Sequence, residues 1–264
     1  TRVATNVLEI DPQRLWDSLE RSAEIGRFRD VGLRRLALSA EDKQMRDLFV
    51  QWARDAGCSV EIDRLGNIFA RRAGSDPSLP PVAIGSHLDT QICGGRYDGI
   101  LGVLCGLEVV RTLNDRGLAT RRGIEVICWT NEEGARFQPD MMGSLVYSGG
   151  LGLNEAYAAA DKDGVSVGDE LRRIGYLGTA RPGALQPQAF LELHIEQGPI
   201  LEAQQRDIGV VTGVQAMTWC EVTLTGQDAH TGTTPMGRRK NALLGAARLI
   251  ETVDAIARAH PPGV

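Results

Sequence analysis

Histidine is scarce in this chain, with four among 264 residues, and two of the four stand close to carboxylates. His87 lies in Gly85-Ser86-His87-Leu88-Asp89-Thr90 and His194 in His194-Ile195-Glu196-Gln197-Gly198-Pro199. Two further segments, Tyr97-Asp98-Gly99 and Thr130-Asn131-Glu132-Glu133-Gly134, add acidic residues. Imidazole nitrogen with carboxylate oxygen suits zinc or manganese, and the lack of paired thiolates fits a catalytic rather than a structural site. Asp89, two residues after His87, offers a carboxylate that can fix the imidazole tautomer. Each fragment also has a plainer reading: a strand-end histidine hydrogen-bonded into the fold, or a Glu-Glu pair that is simply solvated charge.

The surrounding pattern says how these residues could meet. Asp11 before Pro12 starts a helix to about Ile25, and Ser39 with Asp42 starts another that Gly57 stops after Ala56. Residues 59–63 and 67–72 flank Arg64-Leu65-Gly66 as a hairpin. Residues 81–85, 124–129 and 190–194 read as buried strands, and Asp98 can cap a helix from Gly99 to about Asn114. Gly99, Gly102 and Gly106 fall near one face of that helix and would let it approach a sheet. Their spacing is not a dinucleotide fingerprint. The stretch 149–187 reads as short helices and loops. Strand–helix alternation predicts a three-layer α/β domain with a central mixed sheet, and in open sheets the carboxyl ends of strands converge on one crevice. All four acidic or histidine-bearing segments follow predicted strands or open a helix there.

After Gly213 the pattern changes. Trp219–Thr225 alternates as a half-exposed strand, and Leu243, Ala247, Ile250, Val253 and Ala257 mark one face of a long helix ending near His260. The expected division is an α/β domain over residues 1–212, which carries the histidine and carboxylate segments, and a second, partial unit over 213–264.

In order and flanks, His87-Leu88-Asp89-Thr90-Gln91, Gly94-Gly95-Arg96-Tyr97-Asp98-Gly99, Asn131-Glu132-Glu133-Gly134-Ala135-Arg136-Phe137 and His194-Ile195-Glu196-Gln197-Gly198-Pro199 closely resemble the amidase, hydantoinase/carbamoylase branch of the dinuclear-metal aminoacylase/carboxypeptidase-like hydrolases. That branch includes N-carbamoyl-L-amino-acid hydrolases, allantoate amidohydrolases and β-ureidopropionases. The resemblance implies two divalent ions per subunit, Zn2+ or Mn2+ with Co2+ or Ni2+ as alternatives. It makes His87 and His194 terminal ligands to different metals, Asp98 the bridge, Glu133 a further ligand and Glu132 the general base for a bridging water. Gln197 becomes a substrate-binding residue. Residues 226–236 resemble the start of the family's lid, a ferredoxin-like α+β unit that also forms a homodimer; there His230 would reach the partner's site and stabilise an oxyanion. Arg239 matches the family's Pro-Met-x-x-Arg, while Asn241 stands where an acidic residue is usual. The implied reaction is cleavage of a linear-amide C–N bond in a small N-carbamoyl-L-amino acid or ureido acid. An aminoacylase or dipeptidase of the same superfamily is the rival enzyme, and a non-catalytic dimerisation or binding protein on the same scaffold is the rival of another class.

Composition narrows the classes further. The net charge of −5 and the absence of a long basic cluster argue against a nucleic-acid surface. No stretch has the roughly 18 uninterrupted apolar residues of a spanning helix. Five dispersed cysteines without a C-x-x-C pair suit a reducing, cytoplasmic setting and buried apolar roles. The tryptophans read as core or interface anchors, and His260 as a helix-end residue rather than a ligand. The family's second metal takes a further histidine from a segment after the lid, so the 264 residues alone are expected to hold one ion weakly and to be nearly inactive.

Overall fold

A computed structural model of the chain describes residues 8–184, 186–214 and 220–260. Two compact units emerge, Thr1–Ile200 and Leu201–Val264. In chain order the elements are α1 (Pro12–Ala23), β1 (Arg27–Phe28), β2 (Gly32–Leu33), α2 (Ala40–Asp55), β3 (Ser59–Ile62), β4 (Ile68–Arg72), β5 (Val82–His87), α3 (Ile100–Asp115), β6 (Ile124–Trp129), α4 (Met142–Ser148), α5 (Leu153–Ala158), α6 (Val167–Ile174), β7 (Ala189–Leu191), α7 (Ile200–Ala203) and α8 (Ala242–Ala259).

The first unit is α/β around a five-stranded mixed sheet of order β3-β4-β6-β5-β7. The β3–β4 and β4–β6 pairs are antiparallel, whereas β6–β5 and β5–β7 are parallel. Side chains alternate across it as a pleated strand requires. Ile68, Ala70, Val126 and Cys128 join the core built with α2 and α3, while Phe69, Ile127 and Trp129 form a second apolar group with Tyr147.

Local chemistry explains the elements. Asp11 accepts from the Gln13 and Arg14 amides at the start of α1, and Arg14 reaches the buried Glu108 of α3 at 2.7 Å. Ser39 accepts from the Asp42 amide to open α2. In the β3–β4 turn Asp63 accepts from the Leu65 and Asn67 amides, and Gly66 takes a φ of +83° that favours glycine. The glycines of α3 do bring it onto the sheet: a Cβ on Gly102 would stand 2.6 Å from the Leu193 carbonyl oxygen, and one on Gly106 3.1 Å from Ile84 and Val126.

Several expectations need correction. Asp98 does not cap α3 through its side chain: Gly99 is the cap residue, with no side-chain hydrogen bond, and the Asp98 carboxylate turns elsewhere. β7 stops at Leu191, because its ladder to β5 extends only from Val82 to Ile84. Trp219 lies outside the described residues, and residues 220–225 form no strand. A strand needs a ladder partner, and none pairs with them among the described residues; alternation alone cannot supply those hydrogen bonds. Only Cys58 and Cys128 are buried, while Cys93 and Cys220 are exposed. Trp16 is exposed as well, whereas Trp129 is buried and Trp52 packs partly buried against the core.

Candidate metal centre

The parallel strands β5 and β6 end beside each other, with His87 opposite Trp129. β7 runs parallel on the other side of β5, so the residues following all three strands gather at one edge of the sheet. There His87, Asp98 and His194 each present a ligand atom, and these atoms lie within 4.8 Å of one another.

Both imidazoles are oriented as a metal site requires. His87 Nδ1–H donates to the Asp89 carbonyl and His194 Nδ1–H to the Ile195 carbonyl, each at 2.9 Å. Each Nε2 thereby faces the cluster, as the atom that would bind a metal ion once it gives up its proton. The rings lie nearly parallel, 6.0 Å apart. His194 Nε2 approaches Asp98 Oδ1 at 3.3 Å, and His87 Nε2 approaches Glu132 Oε2 at 3.4 Å. Gly99 allows this crowding, since a Cβ there would fall 2.4 Å from the His87 ring.

The Asp89 carboxylate does something other than orient His87. Its Oδ1 is 3.9 Å from His87 Nδ1, beyond hydrogen-bond distance. It accepts instead from the Glu132 and Glu133 amides, at 3.3 and 3.2 Å. The backbone carbonyl two residues on orients the imidazole, and the buried carboxylate fixes the glutamate loop. From the other side the Met141, Met142 and Gly143 amides donate to the carbonyls of Glu132, Asn131 and Thr130. Asn131, at a φ of +53°, donates from Nδ2 to the Phe137 and Pro139 carbonyls.

Beneath these loops lie two buried arginines. Arg35 donates from Nε to the Leu88 carbonyl and from its amide to Thr90 Oγ1. Arg46 pairs with Asp42 at 2.7 Å and donates to the Gly66 carbonyl and Thr130 Oγ1. Sequence reading gave these arginines no role, because nothing in an isolated Arg signals burial on backbone carbonyls.

The electrostatics favour a cation. Burial pushes the Glu132 carboxyl up to about 7 despite the neighbouring His87, and burial raises Glu133 as well. The hydrogen bond with His194 holds Asp98 below the usual carboxylate range and lifts His194 to about 9. For His87, burial acts downward, but Asp89 and Glu132 outweigh it and the net direction is up. Glu133 Oε1 is buried without a hydrogen-bond partner. Crowded carboxylates, two inward imidazole Nε2 atoms and an orphaned carboxylate oxygen form a donor set that divalent ions fit. With metal–nitrogen bonds of about 2.0–2.1 Å, donors this close suit one ion shared by His87, Asp98 and His194. The resemblance divides the two histidines between metals, whereas three donors this close also fit a single shared ion.

The remaining predicted residues fall as follows. Gln197, at a φ of +54°, donates from Nε2 to Asp98 Oδ2 at 2.7 Å, so it braces a candidate ligand. His230 belongs to the second unit, where its Nδ1 accepts from the Gly232 and Thr233 amides. That leaves its Nε2–H as a donor. Arg239 donates to the Thr231 and Thr234 carbonyls of the same loop. His260 ends α8, with Nδ1 on the Ile256 carbonyl.

Comparison with known proteins gives this geometry a family. An N-carbamoyl-L-amino-acid amidohydrolase from Rhizobium meliloti is 52% identical over 254 residues, 96% of this chain and 61% of the relative. A probable allantoate deiminase from Oryza sativa subsp. japonica is 33% identical, over 95% of this chain and 54% of its own length. The crystal structure of a hydantoinase/carbamoylase family amidase from Burkholderia ambifaria matches with a TM-score of 0.83 at 50% identity, covering 97% of this chain and 63% of that one. The chain thus spans about three-fifths of the length of the first two of these proteins' kind, or less. Residues 83–262, which include every residue of the metal cluster and both candidate glutamates, match the peptidase family M20/M25/M40, and the chain belongs to that family.

Proposed function

We propose that these residues carry the catalytic centre of a metal-dependent amidohydrolase that cleaves the C–N bond of an N-carbamoyl-L-amino acid. The observation that carries the reading is the convergence of His87, Asp98 and His194 within 4.8 Å, with Glu132 at 3.4 Å from His87. The relative at 52% identity, named for that activity, supports the substrate class.

In this reading His87, Asp98, Glu133 and His194 hold two divalent ions, zinc or manganese. Such ions acidify water and polarise a carbonyl. Glu132 takes the proton from the attacking water and returns it to the leaving nitrogen. Its carboxyl, raised by burial, is suited to both transfers. Asp89 keeps Glu132 and Glu133 in register through their amides. Gln197 Nε2 is engaged by Asp98, so its carboxamide oxygen is the atom left to accept from a carbamoyl N–H.

The second unit is proposed as the beginning of a lid that also forms a homodimer. His230, held as an Nε2–H donor by its own loop, would stabilise the oxyanion in the neighbouring subunit. Removing such a donor typically costs about 10²–10³ in rate.

A screen of the longest available form of the enzyme against N-carbamoyl-L-amino acids, allantoate, N-acyl amino acids and dipeptides tests the substrate class. The expected result is fastest release of ammonia from the N-carbamoyl compounds. Turnover confined to dipeptides would overturn it. Allantoate is the second reading, favoured by the allantoate deiminase relatives at 33% and 32% identity.

A further inference from the structure

The geometry points to Gln91 as a positioning residue that holds Glu133 with one chosen oxygen presented to a divalent ion. Gln91 Nε2 donates to Glu133 Oε2 at 2.8 Å and to the Glu133 carbonyl at 3.2 Å. On the other side of the same residue, Asp89 Oδ2 accepts the Glu133 amide. The carboxylate is therefore tied through Oε2, and Oε1 is the atom left buried without a partner. A glutamate has three side-chain torsions to fix, and an unrestrained carboxylate could turn either oxygen toward solvent. A donor on Oε2 removes that freedom.

The base of the Gln91 arm is itself anchored. Thr90 Oγ1 donates to the Gln91 carbonyl and accepts from the Arg35 amide, while the Thr90 amide donates to the Arg35 carbonyl. A side chain that is exposed at the surface thus hangs from a buried loop. Hydrogen-bond partners of metal ligands typically set affinity by 10–100-fold, roughly, when removed. The inference rests on the proposed role of Glu133 as a ligand, and its test separates the two.

Zinc is titrated into the 264-residue chain and into its Gln91→Leu and Glu133→Gln variants against a chromophoric chelator, with thermal melting of each. Leucine keeps the bulk and removes the donor. The expected result is that Gln91→Leu weakens the same zinc step that Glu133→Gln weakens, by roughly 10–100-fold. Melting without zinc and any other zinc step should match wild type. Wild-type zinc binding in Gln91→Leu alongside weakened binding in Glu133→Gln would overturn the role of Gln91 and leave that of Glu133 standing. Glu133→Gln that binds zinc as wild type does, including no binding by either, would overturn the ligand assignment and the inference with it. Equal weakening of every step together with a lowered melting temperature would show a general structural role and overturn positioning.

Discussion

Glu132 and Glu133 are neighbours in sequence, have amides on one carboxylate, and differ in what their side chains meet. Glu132 approaches His87, whereas Glu133 is tied to Gln91 and keeps one oxygen unpartnered. In an intact form of the enzyme, Glu132→Gln should therefore cut turnover by about 10²–10⁴-fold, the usual worth of a general base, with metal content near that of wild type. Glu133→Gln should instead weaken metal binding. Metal analysis beside kinetics separates them, and both variants retaining metal and activity would invert the assignment. At this scale the sequence was legible in which side chains come together, as at His87, Asp98 and His194. It was not legible in what backbone geometry decides. That the Asp89 carbonyl rather than its carboxylate orients His87, and that Gln197 braces Asp98, depends on loop conformation that residue identity does not encode.

Among the elements, α3 and α2 determine how well the site is held. Gly102→Ala would drive a Cβ to 2.6 Å from the Leu193 carbonyl and 2.9 Å from the Ser86 side chain. Overpacking of this kind costs about 1–3 kcal/mol, and because Leu193 precedes His194 we expect metal affinity to fall with stability. Chemical denaturation and zinc titration of the variant check both, and an unchanged unfolding midpoint would contradict the close packing. Arg46→Met would leave Asp42 buried and uncompensated and strip a donor from Thr130, just ahead of the glutamate loop. Breaking a buried pair by removing one partner costs about 3–5 kcal/mol, measurable by the same denaturation. The caps of α1 and α2, the β3–β4 hairpin and the strand β6 were all readable from the sequence, because each is specified by local hydrogen bonding or by a short apolar run. The expected strand at 219–225 was not secure, since alternation marks a strand only where a neighbour exists to pair with it.

For the whole molecule, the proposed reading has the second unit act as a lid that completes a neighbouring subunit's site. In mixed dimers, a Glu132→Gln subunit paired with a His230→Ala subunit should regain one working site although each homodimer is impaired. Absence of recovery would count against action in trans. The metal centre itself is tested by anomalous diffraction at the zinc edge from crystals of the chain grown with zinc. A peak is expected within bonding distance of His87 Nε2, Asp98 and His194 Nε2, the atoms gathered within 4.8 Å. Zinc bound elsewhere, with these three side chains still joined only to one another, would contradict it.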